Sequence, residues 1–98
     1  MARTPECRVK EKCTALLKQY RAYYFFPMMG GFARSGIPDI IVCHEGKFLG
    51  VECKAGRNTT TPLQEAEMLK IREAGGSTLV INEDNIGQLE HWLQGEAT

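Results

Sequence analysis

The sequence lacks any hydrophobic run near the roughly 20 residues that a membrane-spanning helix needs. No apolar stretch follows the N-terminal Met-Ala-Arg-Thr-Pro segment, so we expect no secretory signal peptide. Cysteine occurs four times, but no pair has the C-x2-C spacing of a zinc site and no His-x3-5-His follows. These absences predict a cytoplasmic protein without membrane partners, whose reduced cysteines act as small buried hydrophobic residues.

Net charge is also absent, since the formal charge at pH 7 is +0. The charges are nevertheless unevenly placed: residues 1–57 hold ten Lys or Arg and five Asp or Glu (+5), and residues 58–98 hold two and seven (−5). A basic half can follow the phosphates of a nucleic acid, although an ordinary solvated helix face has the same composition. On the first interpretation, Arg8, Lys12 and Arg57 are candidate DNA contacts.

The length of 98 residues, 43% of them hydrophobic, predicts one domain over residues 1–98 with one modest core. A domain of this size buries a smaller share of its surface than a large one and is often only marginally stable. Association would add buried surface, so we also expect a homodimer.

Hydrophobic spacing and turn residues predict the element order α-β-β-β-α-β-α, an α/β sandwich around one mixed sheet. Helices are expected over residues 5–20, 62–74 and 86–94, and strands over residues 22–26, 40–43, 48–54 and 78–81. In the first strand, Tyr23 and Tyr24 could stack on nucleobases, but burial of one of them in the core is the better expectation.

Two further segments carry candidate site residues. In the first helix, Glu6 precedes Val9 by three residues and Cys13 by seven, so it is predicted to lie on the buried stripe. Residues 27–36 form a loop with the pair Gly30-Gly31, followed by Arg34 and Ser35. This loop is either a DNA-contacting element or a structural turn.

The segment His44-Glu45-Gly46-Lys47 predicts a two-residue hairpin turn at Glu45 and Gly46. With that turn, Asp39 faces Glu52 across the two strands, and their Cβ atoms would be roughly 5 Å apart on one face of the sheet. Lys54 is two residues beyond Glu52 and shares that face. One register therefore gathers two carboxylates and one amine.

Like charges opposed on a half-buried sheet are destabilising unless something neutralises them. Mg²⁺ does so well, because it takes hard carboxylate oxygens; the backbone carbonyl of Cys53 could add a ligand, and Glu6 could complete the shell. Lys54 would then help activate a water and stabilise a charged transition state. The alternative is an exposed hairpin edge with solvated charges and an Asp39–Lys54 or Glu52–Lys54 ion pair.

These residues resemble a known motif. Ile37-Pro38-Asp39, twelve intervening residues and Glu52-Cys53-Lys54 resemble the PD-(D/E)xK nuclease motif, and Gly36 to Ile41 resembles its Holliday-junction-resolvase and VRR-NUC (virus-type replication-repair nuclease) branches. Thr4-Pro5-Glu6 and Thr61-Pro62-Leu63-Gln64, each opening a helix, resemble the small stand-alone VRR-NUC proteins of bacteriophages. The resemblance spans about residues 4–82 and implies a restriction-endonuclease-like α-β-β-β-α-β core, here with an added C-terminal helix.

The resemblance also implies roles for single residues. It implies metal binding by Asp39, Glu52 and the Cys53 carbonyl, with Glu6 assisting and Lys54 catalytic. It implies a role for Gln64 near the site, whereas the spacing Thr61-x-x-Gln64 alone predicts a capping box. Mg²⁺ or Mn²⁺ is the expected cofactor, and the host cytoplasm is the expected location if a phage encodes the chain.

The function expected from these observations is a metal-dependent, structure-selective DNA endonuclease that hydrolyses phosphodiester bonds in branched DNA. Four-way (Holliday) junctions or flaps are candidate substrates, and a homodimer with two sites would suit the two-fold symmetry of a junction. A catalytically silent DNA-binding module of the same fold and a restriction-type sequence-specific endonuclease remain as alternatives. No base-reading motif is visible, so recognition is expected to rest on phosphate contacts and DNA shape.

Overall fold

The elements follow the predicted order α-β-β-β-α-β-α in the computed structural model, which describes residues 4–28 and 34–95. The elements are α1 (Pro5–Gln19), β1 (Tyr23–Phe25), β2 (Ile40–His44), β3 (Lys47–Cys53), α2 (Pro62–Glu73), β4 (Ser77–Ile81) and α3 (Ile86–Leu93). Each predicted element is present, and no bound differs from the predicted one by more than one residue. None of these helices has the length and apolar character needed to cross a bilayer.

The four strands form one mixed sheet in the order β1-β2-β3-β4. The pairs β1–β2 and β2–β3 are antiparallel, and β3–β4 is parallel. A parallel neighbour requires a crossover connection, and α2 provides it between β3 and β4. The predicted mixed sheet is confirmed.

The helix starts form as their sequences predict. Thr4 precedes α1 and its hydroxyl accepts a hydrogen bond from the amide of Cys7 at 3.1 Å, with Pro5 in the first turn. Thr61 and Gln64 form a capping box at the start of α2. The last residue of α2 is Glu73, Ala74 is its C-cap, and Gly75 follows with φ +101°.

The hydrophobic core lies between one face of the sheet and the helices α1 and α3. It contains side chains from β2, β3 and β4 and from both helices, namely Val9, Cys13, Leu17, Ile40, Val42, Leu49, Val51, Cys53, Ile81, Leu89 and Leu93. The stripe predicted for α1 is therefore buried at Val9, Cys13 and Leu17. Glu6 is an exception, because it is exposed together with Thr4 and Pro5. The first turn of α1 extends past the core, and a charged side chain stays solvated there.

The cysteines divide into two kinds. Cys13 and Cys53 are buried as predicted, and Cys7 is half-buried. Cys43 is exposed, so its predicted burial is wrong. Its neighbours in β2, Val42 and His44, point to the side of α1 and α3, and alternation along the strand turns Cys43 to the opposite face. All four thiols are free.

On the opposite face of the sheet, α2 covers the half formed by β3 and β4, and two glycines permit the close approach. A Cβ on Gly50 would lie 2.9 Å from Pro38 Cγ and 3.0 Å from Ile71 Cδ1, so both side chains rest on the strand backbone. Gly36 has φ +86°, and a Cβ there would lie 2.4 Å from the carbonyl oxygen of Leu63. These contacts hold the segment that leads to Asp39 against the start of α2.

Candidate active site

The β2–β3 hairpin has the predicted two-residue turn. Glu45 and Gly46 have φ values of 51° and 80°, the two left-handed positions that a type I′ turn requires. The paired residues run from His44 opposite Lys47 to Ile40 opposite Val51. Asp39 directly precedes β2, so the same register brings it opposite Glu52, as predicted.

The Asp39 carboxylate is fixed by the backbone of β3. Its Oδ2 atom accepts a hydrogen bond from the amide of Cys53 at 2.8 Å, and the side chain is half-buried. A carboxylate that accepts an amide hydrogen bond is held in one orientation. The residue before β2 and the last residue of β3 are therefore joined at one end of the sheet.

Glu52 is the buried member of the acid pair, with only 2% of its surface exposed. Its pKa is raised to about 8, chiefly by burial and then by the hydrogen bond and negative charge of Asp39. The charge of Lys54 lowers this pKa, and the charge of Glu6 adds a small increase. Its Oε2 atom is buried and has no hydrogen-bond partner. An unpartnered buried carboxylate oxygen is costly, and a cation is one physical means to compensate it.

The donor set of this acid pair suits a hard divalent cation. Asp39 and Glu52 supply carboxylate oxygens, and the carbonyl of Cys53 lies between Glu52 and Lys54 in the chain. Among residues 4–28 and 34–95, no three His, Cys, Asp or Glu side chains form a ready metal-binding group. Glu6 is thus not gathered with the acid pair into one cluster. Two carboxylates fit Mg²⁺, which usually keeps several waters and takes one or two protein carboxylates.

Glu6 nevertheless borders the site. A small cavity of about 150 Å³ is lined by residues of α1 and of the hairpin, namely Thr4, Glu6, Cys7, Lys10, Asp39 and Cys53. Lys10 is a member that the sequence interpretation missed, and its only signal was the spacing of one helical turn from Glu6. Its ammonium group lies 5.2 Å from the centre of the Phe26 ring. The cavity therefore holds both signs of charge beside Asp39.

Lys54 immediately follows β3. Its backbone amide donates to the carbonyl of Ile81 at 2.9 Å, which continues the parallel pairing with β4 past Cys53. The side chain is half-buried, and its positive charge acts on Glu52. The predicted group of two carboxylates and one amine is thus assembled at one end of the sheet.

Gln64 is occupied in capping α2. Its Oε1 atom accepts from the amide of Thr61 at 2.9 Å, and its own amide donates to the Thr61 hydroxyl at 3.2 Å. The capping box predicted from the spacing alone is confirmed. This first turn of α2 lies against Gly36, three residues before Asp39.

The candidate DNA contacts lie in two places. Arg34 is engaged with Glu67 of α2 through Nε at 2.9 Å and Nη2 at 3.3 Å, and the Arg34 guanidinium holds the pKa of the Glu67 carboxyl below its ordinary value. Arg8 and Lys12 line a cavity of about 200 Å³ beside Glu83. The exposed candidates are Arg8, Lys12, Arg34, Ser35 and Arg57. The Gly30-Gly31 pair lies outside the described residues.

Glu83 links two of these candidate regions. Its Oε1 atom accepts from the amide of Gly56 at 2.8 Å, which brings the loop containing Arg57 towards the basic side of α1. Arg8, Lys12 and the loop after Lys54 therefore share one region of the surface. This clustering of charge on a face is what phosphate binding requires.

A comparison with solved structures identifies the fold. A search of solved structures finds a VRR_NUC domain with a TM-score of 0.71 and 21% sequence identity, covering 94% of this chain and 97% of that chain. The fold of this protein is that of a VRR_NUC domain. The likeness confirms the predicted restriction-endonuclease-like core. Neither a scan of protein-family models nor a search of curated proteins gives a match. At this identity the VRR_NUC likeness concerns the fold, and the chemistry has to be inferred from the site.

Proposed function

We propose that the protein is a metal-dependent DNA endonuclease that hydrolyses phosphodiester bonds and selects its substrate by DNA structure. The observation that carries this proposal is the buried Glu52, whose Oε2 has no hydrogen-bond partner and which lies opposite Asp39. A fold stabilised by apolar burial has no structural need for two opposed acids at a sheet end. The fold of a VRR_NUC domain, a virus-type replication-repair nuclease, supports the same proposal.

The chain offers a ligand set for the cofactor. Asp39, Glu52 and the Cys53 carbonyl would hold Mg²⁺ or Mn²⁺, and at pH 7 this binding would displace the proton that burial keeps on Glu52. When bound, the cation would supply Lewis-acid stabilisation of the phosphate and a lower pKa for the attacking water.

The remaining residues act on the substrate and on water. Lys54 would orient the attacking water and stabilise the extra negative charge that develops on the phosphate. Glu6, in the cavity beside Asp39, would accept a hydrogen bond from water there rather than coordinate directly. Gln64 would act through the position of α2, because its side-chain oxygen already caps the helix.

The surface supports recognition through phosphates. Arg8, Lys12, Ser35 and Arg57 are exposed, and base-specific reading elements such as a recognition helix are not found among the described elements. Branched DNA, in particular four-way junctions and flaps, is the proposed substrate class. A homodimer of a bacteriophage-type VRR-NUC enzyme in the host cytoplasm would place two sites for the paired cuts that a junction needs.

The proposal is tested by cleavage of labelled four-way junction, flap, single-stranded and linear duplex DNA with Mg²⁺, Mn²⁺ or EDTA. We expect metal-dependent cutting that is lost in Lys54→Ala and retained in Lys18→Ala, a matched removal of an exposed lysine at the far end of α1. Absence of cutting on every substrate by folded, metal-loaded protein would favour a silent DNA-binding module. A single short cut sequence in duplex DNA would favour a restriction-type enzyme.

A further inference from the structure

The face of the sheet that carries Glu52 also carries a cluster of apolar side chains. Strand register places Tyr23 beside Cys43 and Cys43 beside Phe48, and it places Phe25 beside Ile41. Alternation along the strands turns all five away from the core that α1 and α3 cover. We call Tyr23, Phe25, Ile41, Cys43 and Phe48 the aromatic face.

The aromatic face is open to solvent. The exposed fractions of Tyr23, Phe25 and Phe48 are 68%, 46% and 44%, and Cys43 is exposed as well. The helix on this side, α2, rests on the other half of the sheet, where Ile71 lies over Gly50 and Gly76. Within the described part of the chain, no helix covers β1 and β2 on this side.

The aromatic face leads to the acid pair. Residues two apart along a strand are about 7 Å apart, so the row of Phe25 and Ile41 is about 7 Å from the row of Asp39 and Glu52. The row of Tyr23, Cys43 and Phe48 is about twice as far. The rings of Tyr23 and Phe25 have their centres 6.2 Å apart with planes tilted by 59°. A polymer chain lying across this face would therefore pass both rows on its way to the acids.

Positive charge borders the aromatic face. A groove of about 760 Å³ adjoins Phe48 and lies between the hairpin turn and α2, and Lys70 contributes to its lining. Lys70 is exposed and lies 3.6 Å from Glu67, whereas Lys47, which pairs with His44, points to the side of α1 and α3. Aromatic rings beside cations suit a strand that presents flat bases and phosphates together.

We propose that the aromatic face binds the unpaired nucleobases of a DNA strand whose phosphates contact Lys70. This inference rests on the proposed nuclease function and deepens it, because among the proposed branched substrates it favours those with a single-stranded segment beside the scissile phosphate, such as flaps, over fully paired four-way junctions. Bases within a duplex are stacked on each other and cannot lie on a protein ring, whereas unpaired bases can. Stacking accepts any base, so the selection is for strand structure rather than sequence.

The test is binding of a fluorescent 12-nucleotide single strand in EDTA, where no cleavage is expected, to chains that all carry Lys54→Ala. Ligand controls are a strand of the same length with abasic sites and the corresponding duplex. We expect Tyr23→Ala and Phe48→Ala each to weaken single-strand binding at least about 5-fold, since one stacked base contributes about 1–3 kcal/mol. Abasic and duplex binding should be unchanged. Leu69→Ala, which truncates a 49% exposed side chain on α2, is the matched protein control.

The outcomes separate this inference from the nuclease proposal. Equal affinity of the unmodified and abasic strands would overturn the inference, because phosphate contacts alone would then explain binding. A dimer in sedimentation equilibrium that Tyr23→Ala or Phe48→Ala dissociates, with unchanged single-strand binding, would also overturn it and assign the face to a second copy. Selective single-strand binding by a protein with Lys54 intact that cuts nothing would support the face and reject the nuclease.

Discussion

The amide of Cys53 donates to Oδ2 of Asp39 at 2.8 Å, so the last residue of β3 fixes the carboxylate that precedes β2. The Cys53 side chain is buried on the other side of the strand, where its thiol forms a hydrogen bond with Cys13. That bond and burial raise the pKa of the Cys53 thiol, so it stays protonated and unreactive. Cys53 thus anchors the acid pair through its backbone while its side chain belongs to the core.

The burial of Glu52 predicts a pH-dependent stability of the metal-free protein. Its pKa is raised from 4.5 to about 8. Between pH 4.5 and pH 8, the folded state therefore binds more protons than the unfolded state. The contribution of Glu52 to the free energy of unfolding is therefore greatest below pH 4.5 and is lost as the pH rises towards 8. In EDTA, we expect a loss of about 2–4 kcal/mol between pH 5 and 8.5, measured by urea unfolding.

Glu52→Gln is the matched variant for this measurement, since it keeps the shape and removes the charge. We expect a flatter stability profile between pH 5 and 8.5 and a higher stability than the unmodified protein at pH 8.5. Mg²⁺ should stabilise the unmodified protein at pH 8.5 and leave Glu52→Gln nearly unaffected. An unchanged slope in Glu52→Gln would show that other groups control the profile.

Two substitutions in the capping box distinguish a structural role of Gln64 from a catalytic one. Gln64→Ala and Thr61→Ala each remove one of the two reciprocal hydrogen bonds at the start of α2. We expect each to cost about 0.5–2 kcal/mol in thermal unfolding and to leave the single-turnover cleavage rate within about 3-fold at a temperature where both are folded. A large rate loss confined to Gln64→Ala would assign this side chain to the chemistry.

Arg34 is predicted to act first as an anchor on α2. Its guanidinium forms two hydrogen bonds with the carboxylate of Glu67, whose side chain is only 9% exposed. We expect Arg34→Ala to destabilise the protein by about 1–2 kcal/mol, because it leaves a mostly buried carboxylate without this partner. Adding Glu67→Gln should recover part of the loss. A salt-dependent decrease in DNA affinity without a loss of stability would instead support direct phosphate contact by Arg34.

Substitutions of Gly36 and Gly46 test how much the close packing of α2 against Gly36 contributes to stability. Both have positive φ, 86° and 80°, but a Cβ on Gly46 meets no atom within 4 Å, whereas one on Gly36 would lie 2.4 Å from the Leu63 carbonyl oxygen. Gly46→Ala should cost about 1–2 kcal/mol, the backbone term alone. Gly36→Ala should cost clearly more and also slow cleavage, because Asp39 follows three residues later. Equal losses of stability would mean that the α2 contact adjusts freely.

Local sequence predicted much of the site. The two-residue turn at Glu45 and Gly46 fixed the hairpin register, and with it the opposition of Asp39 and Glu52, because strand pairing propagates from the turn by the pleat alone. The caps at Thr4 and Thr61 were equally local, since each depends on contacts within four residues. Such features need no knowledge of the remaining chain.

Features that depend on distant partners were missed or only partly predicted. The exposure of Glu6 and of Cys43 depends on where α1 begins relative to the core and on which half of the sheet α2 covers. The bonding of Arg34 to Glu67 and the placement of Lys10 beside Asp39 join residues that are far apart in sequence. The hydrophobic periodicity of a segment predicts which face of that helix or strand is apolar, but it does not predict which other element packs against that face.

The sequence by itself therefore determined the element order, the helix caps and the strand register that opposes Asp39 to Glu52. Only the tertiary structure decided that Glu52 is buried with an unpartnered oxygen, that Cys43 is exposed and that the aromatic face is open beside the acid pair. The reason is physical: dihedral preferences and hydrogen bonds within a few residues act along the chain, whereas burial and its effect on a pKa arise from the packing of separate elements.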